Sequence, residues 1–339
     1  MVQEALLSES TDGWDASANN GKGGVKVNWW LDGHTPSQNT GHDAGEDLRD
    51  LQVLTLYKGM FPADTSLDAA IAKMEPIDVS LFQANGYDKS WSWPSFTDLG
   101  WWSAAQHICK FWMSQIDAKV GVAHGSLVES TAAGAATIPD GYRVDAAAQK
   151  ACGLIAIGNH FNDAAMVAAG EKMLQVVISQ AFVTKYGMFA RIVATPASSP
   201  KIIDFQAKMG EQGQTAWTLA LAGKLDAAKA LLDGMKASAA HDTVHGGFFF
   251  KQMLDSGQVS TNYKEQGRCM TIARVAKILG DTGLRDEMFD TARKSFQKAK
   301  TAGWAYEVNP DFTLYGKPPQ AWITSESINL NVLAILTAA

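Results

Sequence analysis

"YRVDAAAQKACGLIAIGNHFNDAAMVAAGEKMLQVVISQAF", residues 142–182, decides the fold. Its first part, 142–158, is apolar on nearly every side, as a helix covered all round by protein must be. Its second part, 162–182, is apolar along one stripe and polar opposite, as a helix between core and water must be. The joint "GNHFND" (158–163) supplies Gly at the end of one helix and Asp at the start of the next. Those residues suit a left-handed C-cap and an N-cap. Two helices so joined form an αα-hairpin.

The same pattern recurs outward from this hairpin. Apolar helix candidates occupy 43–59, 97–116, 142–158, 206–222, 263–279 and 323–338, with starts 45 to 64 residues apart. Amphipathic partners read at "DTSLDAAIAKM" (64–74), 162–182, "LDAAKALLDGMKA" (225–237) and "LRDEMFDTARKSFQKA" (284–299). Gly-marked joints, "AGKLD" (222–226) and "LGDTGLRD" (279–286), support the pairing. Strand signals are scarce. A repeat of helical hairpins predicts an all-α fold, an (α/α)6 toroid with an apolar inner ring and an amphipathic outer ring. The expected organisation is a single domain over 1–339, with 1–42 as an irregular segment packed on it. Two places break the pattern. Residues 117–137 offer no clear outer helix, and the sixth inner helix ends the chain, so its partner is missing or comes from the first residues. A plain helical bundle is the alternative.

Composition narrows the function. The chain has 339 residues, 46% hydrophobic, with a net charge of -6. No basic patch stands out, which argues against a nucleic-acid or anionic-membrane partner. No run of 18 apolar residues marks a membrane span. The start, "MVQEALLSESTD", lacks the basic and apolar regions of a signal peptide. A charged fraction of 19% and 11 Trp point toward carbohydrate handling outside the cytoplasm. The expected location is secreted or periplasmic with the signal removed, with the cytoplasm as the alternative. Cys109, Cys152 and Cys269 lie far apart in apolar runs and read as buried small hydrophobes. No metal-ligand spacing or cofactor motif is present, so neither a metal nor a cofactor is expected.

Polar groups gather where the chain enters the inner helices: Asp43, Glu46 and Asp47; Asp98; Asp140 and Asp145; Gln206 and Glu211; Lys264 and Glu265; Glu326. Any one acid is explained by capping and the helix dipole, about 0.3–1 kcal/mol each. In a ring, however, these entries share one face, and a funnel lined with carboxylates can do acid/base work on a sugar. Asp98, Glu211, Glu265 and Glu326 are the candidate catalytic acids. Asp43, Glu46, Asp145 and Tyr263 are candidate sugar contacts. Trp29, Trp30, Trp91 and Trp93 fall in loop segments, "NWWLDGH" (28–34) and "YDKSWSWPSF" (87–96), where indoles stack on pyranose rings or fold back over the core. Trp101 joins them beside Asp98. His160 and Asp163 sit on a hairpin joint and read as capping residues. His34 and His42 flank Asp32 and Asp43 in a loop and leave a metal reading open.

"TDLGWW" (97–102) resembles the Asp-Asp-x-x-Trp-Trp segment of bacterial and fungal endo-α-1,6-mannanases, which are (α/α)6 six-hairpin glycosidases. "MGEQGQTAWTLALAGKLDAAKALL" (209–232) resembles the Tyr-Asn-Gln-Gly helix opening of that family and its partner helix. Residues 245–295, from "HGGFFFKQ" to "ARKS", resemble a Gly-Gly-aromatic hairpin common to six-hairpin enzymes, sugar 2-epimerases included. The resemblance implies a glycoside hydrolase acting on an α-linked polysaccharide or oligosaccharide. It implies a catalytic role for Asp98, the position where the family's second aspartate stands. The family's first aspartate is replaced here by Thr97, which cannot carry charge. A second acid must then come from Glu46, Asp145, Glu211, Glu265 or Glu326. The rivals are a sugar epimerase or isomerase (Gln266, Arg268), a uronate lyase (Tyr142, Arg143, Tyr263, Lys264) and a non-catalytic carbohydrate-binding protein.

Overall fold

Helices dominate the computed structural model, which describes residues 1–21, 23–26, 28–30, 44–75, 92–123, 141–194, 199–298, 302–315 and 322–339; residues 19–20, 28–30, 44–46, 92, 298, 322–323 and 325 are described by backbone only. These residues pack as two compact units. The first comprises Met1–Gly86, Asp242–Phe250 and Thr261–Ala339, and the second Tyr87–His241 and Lys251–Ser260.

In the first unit the Ser325–Ala338 helix lies between Ala44–Met60 on one side and Gln266–Cys269 with Thr271–Ile278 on the other. These are the expected inner spans, and their facing residues, such as Leu48, Ile272 and Ile328, are fully buried. The outer helices Asp68–Met74 and Thr282–Ser295 pack on Ala44–Met60 and Thr271–Ile278. Gly267 lets two inner helices cross closely, since a Cβ there would meet the Ser327 Cα at 2.6 Å.

Residues 1–42 are not irregular throughout. Val2–Thr11 is a helix that packs on Ser325–Ala338 and buries Ala5 and Leu6. It supplies the outer partner that the sixth inner helix lacked. Trp14–Asp15 then pairs with Gly24–Val25, and Asn28–Trp30 with Trp322–Thr324, all antiparallel.

In the second unit the inner helices are Trp102–Ser114, Val144–His160 and Met209–Leu221, packed in that order. Ala164–Ala181 covers Val144–His160, and Leu225–Ala237 covers Met209–Leu221. The chain before Trp102 differs from expectation. Ser92–Asp98 is a short helix of its own, and the next begins after Gly100, at φ +75°. Short strands appear that the sequence did not signal. Gly141–Arg143 pairs with Ile192–Ala194, which pairs with Lys201–Asp204; Gln206–Lys208 pairs with Lys251–Met253, which pairs with Val259–Ser260. Two of these strands run directly into the inner helices at Val144 and Met209 and so set where each first turn stands.

Candidate active site

In the second unit the strand-to-helix junctions build a charged cluster. "YRVD" ends a strand at Arg143 and puts Asp145 second in its helix. "AKMGE" ends a strand at Lys208 and puts Glu211 third in its helix. Both acids thus stand in first turns, where the helix dipole favours negative charge. A bend at residues 189–191 ties the two junctions together. The Gln212 side chain brackets Phe189, accepting from its N–H and donating to its carbonyl, each at 3.0 Å. Val144 N–H donates to the Arg191 carbonyl at 3.0 Å, and Arg191 N–H donates to the Asp204 carbonyl at 3.0 Å.

The side chains follow from that frame. Arg143 grips Asp145 with two hydrogen bonds, Nε to Oδ1 at 3.1 Å and Nη2 to Oδ2 at 2.6 Å. The same Nη2 reaches Glu211 Oε1 at 3.4 Å. Arg191 Nε lies 3.6 Å from Glu211 Oε2, and Lys208 Nζ lies 3.9 Å from Oε1. Arg191 is anchored from behind by Asp204, Nη1 to Oδ2 at 3.4 Å. Burial and the neighbouring Asp145 charge push Glu211 up to about 7, against the pull of Arg143, Lys208 and Arg191. A carboxyl that exchanges its proton near neutrality is suited to general acid/base work. Asp145 and Glu211 meet one guanidinium nitrogen at 2.6 and 3.4 Å, so those oxygens are at most about 6 Å apart, the two lengths end to end.

The first unit holds a second acidic cluster, by itself. Arg268 Nε donates to both oxygens of Glu326 at 3.1 Å, and its Nη1 lies 3.9 Å from Glu265 Oε2. Tyr306 donates to Glu265 Oε1 at 3.1 Å. Burial and then Glu265 push Glu307 above the usual carboxylate range. Tyr263 stacks on Phe250 at 4.8 Å and meets Tyr315 at 5.1 Å. Burial first, then Glu307 and Glu265, push its phenol up. The structure therefore groups Asp145 with Glu211 through Arg143, and Glu265 with Glu326 through Arg268, with Tyr263 near Glu265 and Glu307.

Other expected site residues fall elsewhere. Asp98 does not open the Trp102–Ser114 helix; it is exposed at the end of Ser92–Asp98. Trp93 is no rim residue. It is 3% exposed, its indole N–H donates to the Gln149 carbonyl at 3.2 Å, and its ring fills the space over Gly153. Trp101 is half-buried against Phe96, at 5.9 Å. Trp29, Trp30 and Glu46 are placed by backbone alone, and Trp91, Asp43 and Asp140 lie outside the described residues. Asp163 caps its helix by accepting from Met166 N–H at 3.0 Å, as its joint position implied, and His160 stacks on Trp102 at 3.7 Å. Cys109, Cys152 and Cys269 are buried, and burial pushes the Cys152 thiol up to about 12. Among the described residues, no three His, Cys, Asp or Glu are grouped to hold a metal ion, and no helix is long and apolar enough to cross a membrane.

Asp145 and Glu211 were legible from the sequence as acids where the chain enters inner helices. The sequence had no signal for Arg191 or Glu307, which reach their clusters only through tertiary pairing.

No family model and no curated protein matches the chain. Solved structures do. A D-mannose isomerase aligns at a TM-score of 0.68 and 11% identity, covering 100% of this chain and 97% of its own. The GH76A α-1,6-mannanase of Salegentibacter sp. HEL1_6 aligns at 0.66 and 12%, covering 99% and 98%. An unsaturated glucuronyl hydrolase specific for heparin aligns at 0.67 and 10%, covering 100% and 96%. The chain has the (α/α)6-toroid fold. The toroid explains the recurrence of inner helices every 45 to 64 residues. It also explains why short strands end where inner helices begin, since each hairpin must return the chain to the same end of the ring.

Proposed function

We propose that this protein is a glycoside hydrolase acting on an α-linked polysaccharide or oligosaccharide, with Glu211 and Asp145 as its carboxyl pair. The fold is compatible with that chemistry: one similar structure is an α-1,6-mannanase, seen also as an inactive variant with two adjacent aspartates replaced and α-1,6-mannotriose bound. The observation that carries the reading is the shared Arg143 guanidinium, which holds Asp145 within about 6 Å of Glu211. Retaining glycosidases space their carboxyls at about 5–5.5 Å, whereas inverting enzymes need about 6.5–9.5 Å for an intervening water.

The roles follow from the environments. Asp145, gripped by Arg143, is the nucleophile. Glu211, which keeps its proton near neutrality, is the acid. Glu211 protonates the glycosidic oxygen as Asp145 bonds to the anomeric carbon and the aglycone leaves. Glu211, now ionised, takes a proton from water; the water attacks the anomeric carbon and frees Asp145. Thr97 has no part in this, since its hydroxyl donates to the Pro94 carbonyl at 2.9 Å. Asp98, exposed at the end of its short helix, is assigned to sugar contact rather than to bond making.

The test is turnover on a panel of α-linked glycans. Glu211→Gln and Asp145→Asn should each lose about 10³-fold or more in kcat. Nuclear magnetic resonance should detect a first-formed product with retained anomeric configuration. An inverted product would sink the pair assignment. So would near-parental rates in both variants, with the loss appearing in Glu265→Gln or Glu326→Gln instead. Interconversion of free mannose with no glycoside cleaved would favour an isomerase.

A further inference from the structure

Three short extended stretches build an outward face in the first unit. Lys264 and Val308 exchange backbone hydrogen bonds of 2.9 and 3.0 Å, and Val308 bridges in turn to Leu314, both antiparallel. Lys264 is 1% and Val308 0% exposed, and Leu314 packs with Val308 in a cluster with Ala305 and Phe312. Extended chain alternates its side chains between two faces. With Lys264, Val308 and Leu314 turned to the core, their neighbours Tyr263, Glu265, Glu307 and Tyr315 stand on the other face. The antiparallel registers put Glu307 across from Glu265 on one side and from Tyr315 on the other.

This face joins aromatic rings to polar groups that want partners. Tyr263 meets Tyr315 at 5.1 Å and is backed by Phe250 at 4.8 Å. Tyr315 is 37% exposed, and Tyr263 and Glu307 are half-buried, so all three are reached from solvent. Among the described residues, Glu307 makes no hydrogen bond or ion pair, and the Tyr263 hydroxyl makes no hydrogen bond; only burial and neighbouring acids or phenols act on them. A carboxyl set directly opposite another in a sheet is destabilising. A purely structural role does not call for that arrangement. A sugar supplies what is missing: its C–H face packs on tyrosine rings, and its hydroxyls meet the carboxyl and the phenol. An anionic ligand would bring further negative charge to Glu265 and Glu307.

We propose that Tyr263, Tyr315 and Glu307 form a binding site for a neutral pyranose, in addition to Asp145 and Glu211. This rests on the carbohydrate reading above, and not on which carboxyls break the bond. The tyrosines hold the ring by stacking, and Glu307 fixes its orientation through a hydroxyl.

Calorimetry tests this on the full chain carrying Glu211→Gln, which silences turnover under the hydrolase reading. The probes are three neutral trisaccharides, α-1,6-mannotriose, isomaltotriose and maltotriose, and the acidic trigalacturonate. At least one neutral trisaccharide should bind, and more tightly than trigalacturonate. Adding Tyr315→Ala or Glu307→Ala should weaken that binding about tenfold each, with Tm unchanged. Tyr315→Phe, which keeps the ring, should bind as before. If no neutral probe binds, or if trigalacturonate binds tightest, the proposal fails. Binding unchanged by either Tyr315→Ala or Glu307→Ala overturns it as well. Glucosamine bound more tightly than glucose would make Glu307 a cation site and overturn it too. Turnover of the parent chain separates the two readings. A parent that cleaves no glycan, with binding still lost in Tyr315→Ala, removes the hydrolase and leaves the site. Cleavage that depends on Glu211, with binding indifferent to Tyr315 and Glu307, removes the site and leaves the hydrolase.

Discussion

At the scale of single residues, Glu211 carries the argument, and its proton makes a testable prediction. Its folded pKa, pushed to about 7, stands above its ordinary value of 4.5. Between those values the folded protein binds more proton than the unfolded chain, so stability falls as pH rises through that window. Below 4.5 both states are protonated, and above about 7 both are ionised, so the effect is flat outside it. Glu211→Gln removes the slope. The parent-minus-variant difference in unfolding free energy should decline from pH 4.5 to 7, whatever its offset from lost ion pairs. A difference constant over that range would show that Glu211 is not raised. Glu211 and Asp145 were legible as acids in first helical turns. Which acids meet was not, because Arg143, Arg191 and Asp204 come together through strand pairing and a bend that no local pattern encodes. Trp93 misled for a related reason: a Trp in a polar segment reads as exposed, yet here the Gln149 carbonyl satisfies its indole and permits burial.

At the scale of elements, "HDTVHGGFFF" and "YKEQGR" are tied by one buried ion pair. Lys264 is 1% exposed; its ammonium meets Asp242 Oδ2 at 2.8 Å and donates to the Gly246 and Pro310 carbonyls at 2.6 and 2.8 Å. The Phe312 ring lies 4.3 Å away. Burial acts to raise Asp242, but Lys264 and the N–H groups of His245 and Val244 outweigh it and hold it at about 2. Burial pulls Lys264 down, against Asp242. The two shifts oppose, and the geometry decides for the charged pair, since three oxygens surround Nζ. Lys264→Met would strand a buried carboxylate and should cost about 3–5 kcal/mol in urea unfolding. Adding Asp242→Asn should recover much of it. Equal losses in the single and double variants would deny the pair its role. The hairpin joints were read from Gly, and Gly223 and Gly280 do take positive φ. At the third joint Gly158 stays helical, packed against Val167, and Asn162 takes the left-handed turn instead. Strands of two to four residues were not legible, because a period of two needs more length to stand out.

At the scale of the whole molecule, the fold was legible and the activity was not, for one physical reason. The toroid is specified by where apolar residues recur, and that pattern survives at 10–12% identity to its structural neighbours. Activity is specified by a few polar contacts, such as those that join Arg143 to Asp145 and Glu211, which the apolar period does not encode. The ring has one feature that periodicity did not assign, the covering of its last inner helix. Val2–Thr11 is only weakly amphipathic in sequence, yet Ala5 is 0% and Leu6 1% exposed, and the helix packs on Ser325–Ala338 and on Ala302–Trp304. That inner helix carries buried polar groups, Asn329 and Asn331, beside Ile328, Val332 and Leu333. It depends on its outer cover to stay dry on the remaining side. Leu6→Ala should therefore behave as a core truncation, costing about 2–5 kcal/mol, rather than as a change near a fraying terminus, which would be near neutral. Calorimetric unfolding decides it: a clear fall in Tm places residues 2–11 in the ring. A Tm equal to the parent's would mean that the helix is an appendage and the sixth inner helix stands without a partner.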